Sequence, residues 1–172
     1  MAIFALMAGL AAGPAPVFPD PIGRANDGKA QCYSPDLARK VCASLATYAM
    51  NADGGVENTA TVLLSKEPVG TMTTVSPVTA VGGRLCGVMR AADLDGAKFM
   101  VSGAPADAAR AAQLHTAVAG AFTAIIDHTV CVTFIADGSQ FVAHTAFDGL
   151  PRPNLDQRVI WVSTADGWKV AP

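Results

Sequence analysis

Three histidines, His115, His128 and His144, are the side chains best suited to acid–base chemistry in this 172-residue chain, because an imidazole changes charge near neutral pH. No His-x-x-x-His or His-Glu-x-x-His spacing occurs, so no two of them form a local metal pair. Asp127-His128 sets a carboxylate next to an imidazole in sequence, and a histidine at a helix C-terminus is favoured as a cation. The simpler reading, and the preferred one, is a helix-end histidine that helps to cap carbonyls. His144 alternates with Val142 and Ala146 on a predicted strand. Arg152 sits between Pro151 and Pro153, which stiffen its loop so that one guanidinium is held with little entropy left to lose. Either Arg152 grips a carboxylate ligand, or it pairs with Asp148 or Asp156 and braces its own loop. His144, Arg152 and Trp161 together make the candidate ligand site. Tyr33, Tyr48 and Trp168 are further candidates to line a pocket or fill the core.

Other chemistries find no support in these residues. No Gly-x-Ser-x-Gly elbow is present. Asp93-Leu-Asp95-Gly96 and Asp53-Gly-Gly-Val-Glu57 lack the alternating oxygen ligands and final glutamate of a calcium loop, so they read as turns. No metal and no cofactor is expected. The net charge of -2, with charged residues at 15%, offers no basic surface for a phosphate backbone, so nucleic acid is not an expected partner.

The four cysteines point to an oxidising compartment. Cys32, Cys42, Cys86 and Cys131 are an even set without a Cys-x-x-Cys pair, so they read as two disulfides rather than a redox motif or zinc ribbon. Of the three connectivities, Cys32–Cys42 and Cys86–Cys131 is the preferred one. Met1–Ala12 is apolar and ends in small residues, with Gly9 and Ala11 suited to a signal peptidase. Residues 1–11 are therefore expected to be a secretory signal. They are too few to span a bilayer, which needs about 20. Residues 12–30, with Pro14, Pro16, Pro19 and Pro21, are expected to be an extended leader. Residues 31–172 are then one domain, long enough for a real core.

These side chains must be positioned by a small set of elements. Leu114, Val118, Phe122 and Ile125 recur at helical spacing, predicting one long helix over about 105–127 with Pro105 in its first turn. Thr129–Ile135 and Gln140–Phe147 around Asp137-Gly138 predict a hairpin. Two more hairpins are expected, one turning at Asn51–Gly55 and one at Gly82-Gly83. A short helix near Pro35–Lys40 and a last hairpin, Arg158–Ser163 with Trp168–Val170, complete the pattern. The expected fold class is α+β: a mostly antiparallel sheet built from hairpins with the long helix packed across one face.

The closing Asp166-Gly-Trp-Lys-Val170 resembles the last strand of cone-shaped α+β (NTF2-like) domains. That resemblance implies a small enzyme with a His/Asp general base in a pocket. Against it stands an exported, periplasmic or extracellular, disulfide-stabilised domain that binds a small molecule or an envelope partner without catalysis. The second reading is preferred, because no acid, base and nucleophile arrangement is visible. Oligomeric state is left open.

Overall fold

The glycine-marked turns do join antiparallel strands, but the strands do not stop at a sheet. The computed structural model describes residues 20–52 and 55–172; the expected signal over 1–11, and residues 12–19 of the expected leader, lie outside them. Eight strands carry the fold: β1 Ala30–Tyr33, β2 Ser44–Met50, β3 Val56–Lys66, β4 Val69–Val81, β5 Arg84–Val88, β6 Thr129–Asp137, β7 Gln140–Phe147 and β8 Gln157–Val162. Each pairs antiparallel with the next in this order, and β8 returns to pair with β1 through Ala30↔Val162 and Tyr33↔Val159. The result is a closed eight-stranded barrel.

This closure corrects the expected α+β layering of one long helix across an open sheet. A sheet that closes on itself buries its apolar face against its own opposite wall, and needs no helix to cover it. The long helix exists but is shorter than expected and lies elsewhere. It spans Ala108–Phe122 (α2), and Asp107 is its N-cap, accepting a hydrogen bond from the Arg110 backbone N–H at 2.8 Å. Pro105 belongs instead to a two-residue strand paired with Lys98–Val101. Val118 of α2 is buried with Met72, Leu94 and Phe99, and Leu114 and Phe122 pack half-buried against that cluster. The helix thus closes a satellite core beside one end of β4, together with a five-residue helix α1, Ala91–Asp95.

Two smaller expectations are corrected as well. Residues 37–40 form turns rather than a helix. Lys169–Val170 pairs in parallel with Val41–Cys42 instead of folding back on β8. The 13-residue β4 hides in the sequence because Pro77 interrupts it. Lys98–Val101 pairs with it over Gly70–Thr73 and β5 over Thr79–Val81, so Pro77 sits where that edge has no ladder partner. A proline, which cannot donate to a ladder, is tolerated in such a gap.

Both disulfides form with the expected connectivity, Cys32–Cys42 and Cys86–Cys131. The second joins residues directly opposite one another on β5 and β6. The chain leaves the barrel between those two strands for the excursion that holds α1 and α2, so the bridge staples the wall where the path is interrupted. Loop entropy assigns it roughly 4 kcal/mol and the shorter bridge about 3 kcal/mol. Among the described residues no helix is long and apolar enough to cross a membrane.

Candidate functional site

The barrel is packed at one end and hollow at the other. Period-two alternation decides which side chains point inward. At the packed end, Leu85, Phe134, Ala143 and Val159 are buried together, with Ile22 and Phe141 against them. Residues 20–28, from the end of the stretch read as a leader, supply the plug: Pro21 is buried, Gly23–Asp27 makes a helical turn, and Arg24 lies 6.0 Å from the Phe141 ring centre. Gln31 ties plug to wall. It is fully buried, donates to the Pro21 carbonyl at 2.9 Å, and accepts from the hydroxyls of Tyr33 at 2.8 Å and Tyr48 at 2.6 Å. Burial pushes the pKa of both tyrosines upward from the usual phenol value.

Above that network lies a cavity of about 370 Å³. It exists because several inward positions carry small side chains. Ala46 and Ala60 face each other across β2 and β3, and Gly87 of β5 also lines the space. The wall is two-sided. Ser44, Asn58, Thr74 and Ser76 line one arc, on β2, β3 and β4, while Leu85, Val130 and Phe147 line another, on β5, β6 and β7. Leu94 of α1, Ile125 beyond α2, and Leu155 of the loop before β8 stand at its mouth. Ile125, expected on the buried stripe of the helix, is therefore a cavity residue.

The charged groups at the mouth are already engaged. Asp93 lines the cavity, and its carboxylate accepts from the Arg90 guanidinium at 2.6 and 3.3 Å and from the Arg90 backbone N–H at 3.0 Å. Among the described residues Arg152 makes no hydrogen bond or close ion pair with Asp148 or Asp156, although its charge helps to hold the Asp148 carboxyl down. Its guanidinium lies 5.5 Å from the ring centre of Phe147, at the cavity rim, and its backbone N–H bonds the Thr145 carbonyl at 2.7 Å.

Each histidine meets an aspartate, and each pair lies outside the barrel. His115 Nε2 is 3.2 Å from Asp95, His128 Nδ1 is 2.5 Å from Asp148, and His144 Nδ1 is 2.6 Å from Asp156. Asp127, the sequence neighbour of His128, is not the partner. Asp148 and Asp156 use one device: one oxygen takes the imidazole, the other takes the backbone N–H of the residue that follows the histidine, Thr129 or Thr145. The His128 bond, then that backbone bond, holds the Asp148 carboxyl below its ordinary value; for Asp156 the Thr145 N–H leads and His144 follows. The two pairs pin the loop that carries Arg152 and Leu155 to the β6–β7 hairpin.

None of the three residues named as a ligand site lines the cavity, and only Arg152 contacts a residue that does, Phe147. His144 follows the buried, inward Ala143 and points out of the barrel, whereas Trp161 shares the inward face of β8 with Val159. The cavity itself was missed. Its signal was present as alanine, serine and threonine at alternate positions of β2–β4, but small residues name a vacant space only once the opposite wall is known. Among the described residues no cluster of three or more His, Cys, Asp or Glu is arranged to hold a metal ion. No family model, curated protein or solved structure matches the chain.

Proposed function

We propose that the chain is an exported, disulfide-stabilised barrel that binds one small molecule in the hollow end of its interior and does not transform it. The observation that carries this reading is the cavity of about 370 Å³, with an apolar arc facing a hydroxyl-lined one. Eight strands are the size at which a barrel either fills with side chains or keeps room for a single small ligand, and ligand sites usually begin near 300 Å³. Catalysis is disfavoured by position. A general base must reach the substrate, yet all three imidazoles lie outside the wall, and Asp93, the one carboxylate lining the cavity among the described residues, is locked to Arg90. Arg152, on the ring of the cavity-lining Phe147, belongs to this site as a residue a ligand passes, whereas neither His144 nor Trp161 lines the cavity.

Export is supported by the apolar N-terminal stretch and by two disulfides, which persist in periplasmic or extracellular surroundings and rarely in a reducing cytosol. Mature protein recovered from its own host is expected to begin near Ala12. Native mass spectrometry of that protein, released gently, is expected to show one bound small molecule per barrel. Ala60→Phe, which puts a ring into the cavity, should abolish the adduct while circular dichroism stays that of the wild type. An adduct that persists in a folded Ala60→Phe protein would place the ligand elsewhere and end the reading.

A further inference from the structure

The chemistry of the wall also restricts the charge of the occupant, an extension that rests on the cavity being the binding site. An ion taken from water into such a space needs a counter-charge or several hydrogen bonds to replace its hydration. The ionisable groups lining this cavity are Tyr33, Tyr48 and Asp93, and each is committed. Both phenols donate to Gln31, and Asp93 is neutralised by Arg90. Among the described residues no lysine, arginine or histidine lines the space. Arg90 meets the space only through its pair with Asp93, and Arg152 stands on the Phe147 ring without lining the cavity.

What the wall does offer is uncharged. Ser44, Thr74 and Ser76 line the cavity from β2 and β4. Thr74 and Ser76 make no side-chain hydrogen bond among the described residues, and neither does Ser44, whereas Thr61 of β3 and Thr73 of β4 bond each other at 2.9 Å. Opposite them Leu85, Val130 and Phe147 present only carbon. We infer that the cavity selects an uncharged amphipathic molecule, with a ring or chain face against Leu85, Val130 and Phe147 and hydroxyl or carbonyl groups along the edge that meets Ser44, Thr74 and Ser76.

Two dyes with one aromatic skeleton test this on the full chain with both disulfides intact. N-phenyl-1-naphthylamine is neutral; 1-anilinonaphthalene-8-sulfonate adds a single negative charge. The neutral dye is expected to bind saturably and at least about tenfold more tightly, and to be displaced by 1-naphthol better than by naphthalene. The double variant Thr74→Val, Ser76→Ala keeps the volume close to that of the wild type and should erase the preference for 1-naphthol. Equal or tighter binding of the sulfonate, lost in Arg152→Ala, would overturn the inference and leave the cavity standing as a site for anions whose charge stays at the rim. Dye binding that is unchanged in folded Ala60→Phe, or no binding of either dye, would remove the cavity reading and the inference with it.

Discussion

Replacing Gln31 by methionine removes a hydrogen-bonding hub without emptying its space, and the expected loss can be worked from the three bonds. The amide holds the Pro21 carbonyl at 2.9 Å and two phenol hydroxyls at 2.8 and 2.6 Å. A net hydrogen bond contributes about 1 kcal/mol, and a buried partner left orphaned costs about 1–3 kcal/mol. Tyr33 and Tyr48 border the cavity, where water can reach them, so the lower figures apply. The sum is about 3 kcal/mol. For a chain of this size that is a fall in Tm of roughly 6–12 °C. Urea unfolding of the oxidised protein measures it, with Tyr48→Phe as the second arm of a cycle. In wild type Tyr48→Phe should cost about 1 kcal/mol. With Gln31→Met its acceptor is gone and only the contact with the Tyr33 hydroxyl is left, so the same change should cost distinctly less, a coupling approaching about 1 kcal/mol. A loss below about 1 kcal/mol for Gln31→Met, or equal costs of Tyr48→Phe in both backgrounds, would refute the hub.

Both tyrosines of the chain belong to that hub, so a spectrophotometric titration reads it alone. Their folded pKa values are raised by burial, which makes the associated stability complete below the unfolded phenol value near 10 and lost as pH climbs above it. Tyrosinate absorbance should therefore appear only with unfolding, later than in the urea-denatured chain; coincident curves would contradict the burial. At the acid end Asp148 and Asp156 have depressed values, so their contribution is present above the ordinary carboxylate value of 3.8 and lost as pH falls through the folded one. Asp148→Asn with Asp156→Asn should flatten the acid limb of Tm against pH, leaving the share due to Asp36, which Arg39 holds down. Phe134→Ala, at 3% exposure, should cost about 3–5 kcal/mol, while Phe122→Ala on the half-buried edge of α2 should cost distinctly less; the reverse order by denaturant melts would move the centre of the core to the helix.

What was legible in the sequence was local. Gly82 and Gly83 both adopt the left-handed backbone, φ 57° and 75°, which their hairpin requires, and the Asn51 backbone N–H bonds the Gly55 carbonyl at 2.7 Å between β2 and β3. Cysteine pairing was legible too, since neighbouring cysteines pair in chain order. Closure was not. Alternation at Thr74, Ser76 and Val78 says which residues share a face, and says nothing of whether that face curls round to meet its own far edge. The alanines of β2 and β3 count as helix formers in composition, yet Ala46 and Ala60 serve as absent volume. The histidine partners were hidden for a related reason. Asp148 and Asp156 lie 20 and 12 residues from His128 and His144, and a sequence neighbour such as Asp127 was the wrong place to look.

The pairing of the first strand with the last carries a consequence for how the chain is made. As it emerges from the ribosome or a translocation channel, β1 waits with one unpaired edge until Gln157–Val162 arrives, and such an edge invites pairing with other chains. The oxidation steps meanwhile need no rearrangement. Cys42 follows Cys32 by ten residues, Cys131 meets Cys86 after forty-five, and at each stage the newest thiol finds only its proper partner still free. An oxidant acting in order of synthesis therefore reaches the native bonds without an isomerase. The hazard of biogenesis falls on the last stave of the barrel instead, so truncations just short of Val162 should aggregate with their disulfides correctly formed.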